Sequence, residues 1–547
     1  MSASEDSLQL KAEGNALFLE KKYVEASEKY TSAIELDGEN AILWANRAAY
    51  LDACHDAKTA TTIDPTYAKA WGRLASSFQE VGLWEAAVDA WKRALSALPM
   101  EDRTPSDDKQ KEQYSSGLAK AENFVRENFG RVADTYNIDD AFGAGRNKLP
   151  WVRAENMLSQ LREKGPQGLD SCAWVIAPAA KELEDGMKII RDLKTVETPG
   201  GIEMMIARPG ALQALTNSIV RDQRVFHMES KDIDNYTKQT RFEAQKLNAW
   251  VTAGPEHILV DAEVLLKTRG WDYVRPAIST TVRGWMMKAF ISLGLEHAPG
   301  PAVQFYQSVV ELLERGRQIW HNVPAADRGA VFTDAFVRGV KRLLLDGYMQ
   351  AYGSNPGKNS AYPLQRLYEM ADEIIKDVDN NLPMKSDGNP EWDVQPGDTE
   401  AYYMYTKGEA LAVKGLYHMQ FVKHEVDMEG ADNIVMHLIK ASSLYQQAAD
   451  MFPMDEEKHC WYLYSSLCAL WRAKAPLKVT LPLIAKTREV IPQMRSIWEH
   501  SVLQVKTGNM MLQLTLDFED EVRKGLNEGL YTEDDSASPG WASDPKA

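Results

Sequence analysis

The chain has 547 residues, of which 44% are apolar and 26% are charged, as in an ordinary globular protein. Its net charge of −17 argues against nucleic-acid binding, because phosphate affinity requires a concentrated basic surface. No apolar run reaches the length of about 18 residues that a membrane helix needs, and the acidic N-terminus does not resemble a signal peptide. Four scattered cysteines, Cys54, Cys172, Cys460 and Cys468, lack metal-ligand spacing. We therefore expect a cytoplasmic protein of several domains, without cofactor, metal or membrane partner.

Two stretches of the N-terminal region repeat one arrangement of small and aromatic residues. Each predicts an amphipathic helix, a turn, and a second helix that ends at a breaker, with small residues where the helices cross and aromatic residues beside them. One such unit cannot bury its own apolar face, so units must stack. The stretches are residues 7–40, with Gly14, Ala26, Tyr30 and Ala33, and residues 68–101, with Ala87, Trp91, Ala94 and Pro99.

The pattern of these stretches resembles the tetratricopeptide repeat, which has a period of about 34 residues. The unit between them, residues 41–67, keeps the register of the repeat at both ends, through Asn46 and Pro65, but is seven residues short. The missing residues fall at 50–52, where the turn between the two helices of a repeat belongs. The middle repeat therefore lacks its hinge.

Two structures compete for this shortened repeat. No glycine or proline lies between Asn40 and Asp64, which favours fusion into one helix of about 22 residues, about 33 Å long. In the alternative, two shortened helices turn at residues 50–52, with Asp52 as the N-cap of the second helix. Fusion would carry the third repeat away from the first two, and the exposed packing faces would then favour a swapped homodimer.

In stacked repeats, the first helix of each repeat lines a concave groove. Five polar side chains are predicted to converge there. Lys11 and Asn15 lie four residues apart on one helix, as do Lys69 and Arg73 on another, so each pair shares a helix face. Asn46 lies on the equivalent helix of the middle repeat. Cations in such a groove suit a pair of carboxylates, and asparagine amides suit the backbone of an extended peptide.

These five residues match the dicarboxylate clamp of co-chaperone tetratricopeptide-repeat domains. The segments KAEGNALF, WANRAA and IDPTYAKAWGRLA resemble the small glutamine-rich and Hop-type members of that group. The resemblance implies that Lys11, Asn15, Asn46, Lys69 and Arg73 bind the acidic Glu-Glu-Val-Asp C-termini of the seventy- and ninety-kilodalton heat-shock chaperones. It covers residues 7–125 only, and the remainder of the chain matches no family that we recognise.

The remaining segments are also predicted to be helical, so the fold class is all-α: a tetratricopeptide-repeat superhelix followed by a larger helical array. A charged linker after Pro99 precedes a helix that caps the third repeat and completes a domain of residues 1–125. Strand-like alternation is absent, and Gly/Pro breakers separate the helices. We expect a helical region over 126–380, a loop at 381–400, a weakly repeat-like helical region over 401–530 and an acidic disordered tail over 531–547.

Three functions follow from these features. The first is a cytosolic co-chaperone or adaptor whose C-terminal region binds a further protein. The second is a helical scaffold that has inherited an inactive clamp. The third is an enzyme with an unrecognised site in the C-terminal region, although no nucleophile–base, phosphate-loop or zinc-protease motif is present. A free acidic peptide separates the first two, and a convergent buried polar cluster between 130 and 530 would favour the third.

Overall fold

The computed structural model is almost entirely helical in its described part, which confirms the predicted all-α fold. The chain divides into two compact units, residues 1–135 with 248–281 and 289–312, and residues 136–247 with 282–288 and 313–547. The structure describes residues 3–19, 23–47, 53–80, 84–99, 104–135, 145–197, 203–251, 253–294, 296–381, 395–424 and 431–540.

The first unit begins with seven helices that correspond to the three predicted repeats and a further helix. They are α1 (Ala3–Leu19), α2 (Tyr23–Leu36), α3 (Ala41–Arg47), α4 (Ala53–Ile63), α5 (Ala68–Glu80), α6 (Trp84–Ser96) and α7 (Pro105–Thr135). Small residues allow these helices to approach closely. A Cβ atom on Gly72 would lie 2.6 Å from the ring of Tyr114, so α7 packs directly against the backbone of α5.

Helix α7 starts earlier in the sequence than we predicted, within the segment that we interpreted as a charged linker. Thr104 and Asp107 form a reciprocal cap: the Thr104 backbone N–H donates to the Asp107 carboxylate, and the Asp107 N–H donates to the Thr104 hydroxyl. Pro105 occupies the first helical position, where a missing N–H has no cost. The expectation of a linker up to residue 113 is therefore wrong from Pro105 onward.

The later helices alternate with short 3₁₀ and π segments. They are α8 (Pro150–Glu163), α9 (Ala173–Arg191), α10 (Ala211–Asp222), α11 (Ile233–Lys246), α12 (Pro255–Arg269), α13 (Trp271–Gly294), α14 (Pro299–Ile319), α15 (Ala325–Arg328), α16 (Asp334–Ser354), α17 (Leu364–Asn380), α18 (Tyr405–His424), α19 (Ala431–Ala449), α20 (Glu457–Arg472), α21 (Leu477–Trp498) and α22 (Asn509–Asn527). One buried core of the second unit draws on α8, α9, α20, α21 and α22.

One antiparallel hairpin interrupts the helices of the second unit. Strand β1 (Lys194–Glu197) pairs with β2 (Glu203–Ile206), with Thr195 opposite Met205. The sequence predicted no strand here, because four residues are too few to show a period of two. The Pro-Gly-Gly run after β1 was interpreted as a helix breaker, although such a run suits a hairpin equally well.

The C-terminal region contains a helix with the small–aromatic–small spacing of the N-terminal repeats. Ala441, Tyr445 and Ala448 on α19 are buried together, with the same spacing as Ala26, Tyr30 and Ala33 in the first repeat. This shared packing agrees with the weak repeat pattern seen in the sequence. The predicted domain boundaries themselves stay predictions.

Residues 531–540, which we expected to be disordered, contact the start of α21. The backbone N–H groups of Leu477 and Lys478 donate to the carbonyls of Asp535 and Glu533, both at 2.9 Å. The first N–H groups of a helix have no acceptor within the helix, and carbonyls of the tail accept from two of them here. The expectation of disorder is wrong for this stretch, and residues 541–547 lie outside the described part of the chain.

Candidate functional site

The shortened repeat is not one fused helix, because α3 and α4 are paired through their side chains. Arg47, in the last turn of α3, donates from Nε and Nη2 to the two carboxylate oxygens of Asp56, in the first turn of α4, at 2.7 and 2.8 Å. In a single straight helix these residues would lie about 13.5 Å apart along the axis and on opposite faces. The chain must therefore turn back between them. Residues 48–52, including the proposed N-cap Asp52, lie outside the described part.

The same ion pair connects three helices of the first two repeats. Arg47 Nη1 also donates to the Thr31 hydroxyl on α2, at 3.0 Å. Its guanidinium carbon lies 4.9 Å from the centre of the Trp44 ring. The Asp56 side chain is only 1% exposed, so its charge depends on Arg47 for compensation. This buried contact explains how the repeat keeps an antiparallel pair without its hinge, and the preference for fusion was wrong because helix propensity does not include it.

Three of the five predicted clamp residues form a chain of hydrogen bonds across the three repeats. Arg73 Nη1 donates to Asn46 Oδ1 at 3.4 Å, and Asn46 Nδ2 donates to Asn15 Oδ1 at 3.2 Å. The Tyr30 hydroxyl donates to the same Asn15 oxygen at 2.8 Å. Both of these bonds use the amide oxygen of Asn15, so the two N–H donors of its amide nitrogen remain for a ligand. The first helices α1, α3 and α5 thus come together as the repeat register predicts.

The remaining two clamp candidates, Lys11 and Lys69, lie one turn before Asn15 and Arg73 on the same helices. In the described part of the structure, Lys11, Lys69 and Arg73 have no carboxylate partner. The surrounding protein lowers the pKa of Lys69, and the positive charge of Arg73 lowers it further. Burial likewise lowers the pKa of Arg73. Both cations are therefore destabilised as they stand, and an anionic ligand would relieve this.

Three tyrosines act on Arg73, and the sequence pattern did not identify them as site residues. Tyr30, Tyr67 and Tyr114 all act electrostatically on the Arg73 guanidinium, and burial raises the pKa of each phenol, that of Tyr114 to about 12. The phenols therefore remain neutral at physiological pH. For Tyr67, the signal that could have identified it was its position shortly after Pro65 in the motif IDPTYAKAW. Arg73 is half-buried, so its attraction for an anion is stronger than it would be in bulk water.

The second unit contains a buried polar cluster of the kind that the enzyme hypothesis requires. Arg224 lies against the carboxylates of Asp222, Glu456 and Glu457 and over the ring of Trp498. Burial alone would raise the pKa of Asp222, but the Arg224 guanidinium holds it at about 2. Each of these charges has a partner within the cluster. We therefore interpret it as a link between the end of α10 and the start of α20.

Comparison with known proteins finds similarity over part of the chain. The chain is 31% identical over 168 residues to the heat-shock protein cognate co-chaperone sgt12 of Aspergillus fumigatus, covering 29% of this chain and 47% of that protein. It is 39% identical over 94 residues to the heat shock protein sti1 homolog of Schizosaccharomyces pombe, covering 16% of each. No family model matches the chain.

Among solved structures, the Sgt2 tetratricopeptide-repeat domain from Aspergillus fumigatus is 30% identical to this chain. The match covers 21% of this chain and 82% of that domain, with a TM-score of 0.19. The chain spans less than half the length of the curated relatives given above. None of the described helices is long and apolar enough to cross a membrane. Over part of its length the chain is similar to the small glutamine-rich tetratricopeptide proteins and to the STI1 proteins, as the sequence predicted.

Proposed function

We propose that this protein is a co-chaperone or adaptor that binds the acidic C-terminal tails of heat-shock chaperones through Lys11, Asn15, Asn46, Lys69 and Arg73. The observation that carries the proposal is the hydrogen-bond chain from Arg73 through Asn46 to Asn15, which joins all three repeats. It supports the proposal because Arg73, Asn46 and Asn15 lie within hydrogen-bond distance despite the seven-residue deficit. The similarity of part of the chain to co-chaperones supports the same role.

In this role, the three cations bind carboxylates and the two asparagines bind peptide backbone. A terminal aspartate offers two carboxylates, one from the side chain and one from the chain end, which suits Lys11, Lys69 and Arg73. The asparagine amide nitrogens donate to peptide carbonyls, as Asn15 is free to do. Part of the attraction is screened by salt, whereas the contact with half-buried Arg73 is screened less.

The alternative is a helical scaffold whose clamp is inherited but inactive. Binding of a fluorescent peptide that ends in Glu-Glu-Val-Asp to the full chain decides between the two. The same peptide with an amidated C-terminus is the matched control, because it loses one carboxylate and keeps its length. We expect binding of the free acid and at least tenfold weaker binding of the amide. Equal affinity for both, or no binding of either, would favour the scaffold.

Further parts of the proposal concern location, assembly and the second unit. We propose a cytoplasmic protein that acts without enzymatic activity, and a separate protein partner for the second unit. The swapped homodimer that we predicted depended on the fused helix, and the Arg47–Asp56 contact removes that basis. Light scattering of the full chain should therefore give the mass of a monomer, 61.4 kDa. A dimer that persists on dilution would contradict this.

A further inference from the structure

The second unit contains an open cavity of about 580 Å³ that none of the functions above uses. It lies between α8, the 3₁₀ turn Gly165–Gly168, α9, the end of α10 and the residues Gln395 and Pro396. A cavity of this size holds a small molecule or one to two side chains. Its walls are apolar, with Leu158, Leu161, Trp174 and Pro178 among the lining residues.

The charged side chains in this cavity have one sign. Of the eleven lining residues, only Arg162 and Arg221 are charged, and no carboxylate lines the cavity in the described part of the chain. The whole protein carries a net charge of −17, so a lining with two arginines and no carboxylate differs from its average surface. An apolar cavity with a guanidinium group at its rim matches a ligand that is apolar and anionic.

Both guanidinium groups are held against aromatic rings. The Arg162 guanidinium lies 5.4 Å from the centre of the Trp174 ring, and that of Arg221 lies 5.4 Å from the Tyr402 ring. Arg162 is exposed at the rim and has no ion partner among the described residues. Arg221 is 11% exposed and pairs with Asp398 through Nη2, and Glu182 is a second carboxylate that acts on it. The charge of Arg221 is therefore compensated within the protein, and Arg162 is the cation that remains for a ligand.

The floor of the cavity is fixed before any ligand binds. The Trp174 indole N–H donates to the carbonyl of Gly168 at 2.8 Å, which sets the orientation of the ring. Pro178 lacks a backbone N–H, so the carbonyl of Trp174 loses its usual partner within α9. Gly397, with φ of +91°, approaches that carbonyl so closely that a Cβ atom would lie 2.2 Å from it. This contact brings Gln395 and Pro396 to the cavity wall, and preorganised walls reduce the entropic cost of binding.

We propose that this cavity binds an apolar group that carries a carboxylate, with the apolar part against Leu158, Leu161 and Trp174 and the carboxylate at Arg162. Two sources share this chemistry, a free aliphatic acid and the C-terminal residue of a peptide that ends in a large apolar side chain. The cavity lies in the second unit, so this binding is independent of the groove of the repeats.

The test uses the full chain with Arg73→Ala, so that the N-terminal clamp does not contribute to the signal. Calorimetry measures binding of decanoate against decanol, and of the peptide Gly-Ser-Gly-Ser-Leu-Leu against its C-terminal amide. We expect at least one acid to bind at least tenfold more tightly than its neutral counterpart. Binding of decanoate alone identifies an aliphatic acid as the source, and binding of the peptide alone identifies a peptide C-terminus.

Two variants locate the binding. Arg162→Glu, at the exposed rim, should weaken it at least tenfold, whereas Lys164→Glu makes the same charge change on an exposed residue outside the cavity and should alter it less than twofold. Leu158→Trp fills the cavity from α8 and should also abolish binding. The proposal is overturned if neither acid binds, if the neutral compounds bind equally well, or if Arg162→Glu and Lys164→Glu have the same effect.

Discussion

The ion pair between Arg47 and Asp56 should be the main support of the shortened repeat, and its two partners should differ in importance. The pair joins the last turn of α3 to the first turn of α4 and reaches α2 through Thr31. We consider Arg47→Ala and Asp56→Ala separately. Arg47 is 20% exposed and Asp56 is 1% exposed, so only one of the two charges can turn to water when its partner is removed.

The expected magnitudes follow from this difference in exposure. Arg47→Ala leaves a buried carboxylate without compensation, which typically costs about 3–5 kcal/mol. Asp56→Ala removes two charge-assisted hydrogen bonds but allows the guanidinium to reach solvent, so we expect about 1.5–3 kcal/mol. The neutral double variant Arg47→Gln/Asp56→Asn leaves no charge buried, so it should be less destabilising than Arg47→Ala alone.

Native-state amide hydrogen exchange of the full chain is the appropriate assay, because it reports the free energy of opening for individual helices. The loss should appear in α3, α4 and the adjoining part of α5, and α19 to α21 in the second unit should be unchanged. Lys29→Ala is the control, because it breaks an ion pair with Glu13 in which both side chains are about 40% exposed. An exposed pair of this kind contributes little to stability. If Arg47→Ala costs no more than Lys29→Ala, the ion pair does not hold the repeat together.

Four further outcomes can be measured. Gly72→Ala places a Cβ atom against the Tyr114 ring and should destabilise α7 by about 1–3 kcal/mol, visible as faster amide exchange there. Burial, His437 and two nearby lysines lower the pKa of His418 to about 4, below its value in the unfolded chain. The stabilising contribution of His418 is therefore complete above pH 6.5 and is lost as the pH falls toward 4. In urea unfolding, the free energy of unfolding of His418→Gln should vary with pH less than that of the unmodified chain, by up to about 3 kcal/mol over that range. Insertion of KLGKYEE after Leu51 should change affinity for the acidic peptide by less than about threefold, because the clamp residues are already together, and anisotropy titration would reveal a larger gain. Raising the salt concentration from 50 to 500 mM should weaken that affinity, and an unchanged value would exclude a charge-based site.

The sequence predicted that Asn15, Asn46 and Arg73 come together because the repeat register is a local property. Asn46 and Arg73 each occupy a fixed position relative to the breakers around their helix, and the loss of seven residues between helices does not alter those positions. The turn of the shortened repeat was not predictable in the same way. It depends on Arg47 meeting Asp56, a tertiary contact, whereas the propensities of the intervening residues all favour a continuous helix.

The second unit was predictable as helical but not as a site. Its cavity combines Arg162, Trp174, Arg221 and Pro396, which come from four segments that no repeat or motif connects. Its tail gave the compositional signal of disorder, yet the unpaired N–H groups at the start of α21 bind residues 533 and 535. Composition reports the average behaviour of a segment and does not include a partner elsewhere in the chain.

The central claim is that the repeats bind a dicarboxylate, and Arg73 offers the most direct test of it. Calorimetry with the free-acid peptide ending in Glu-Glu-Val-Asp should be done on the full chain, on Arg73→Ala, on Lys69→Ala and on Lys92→Ala, a cation on α6 that pairs with Glu122. Each clamp variant should lose about 1.5–3 kcal/mol of binding free energy, a decrease of roughly 10- to 150-fold, while Lys92→Ala should bind as the unmodified chain does. Equal affinity of all four proteins for the peptide would contradict the account.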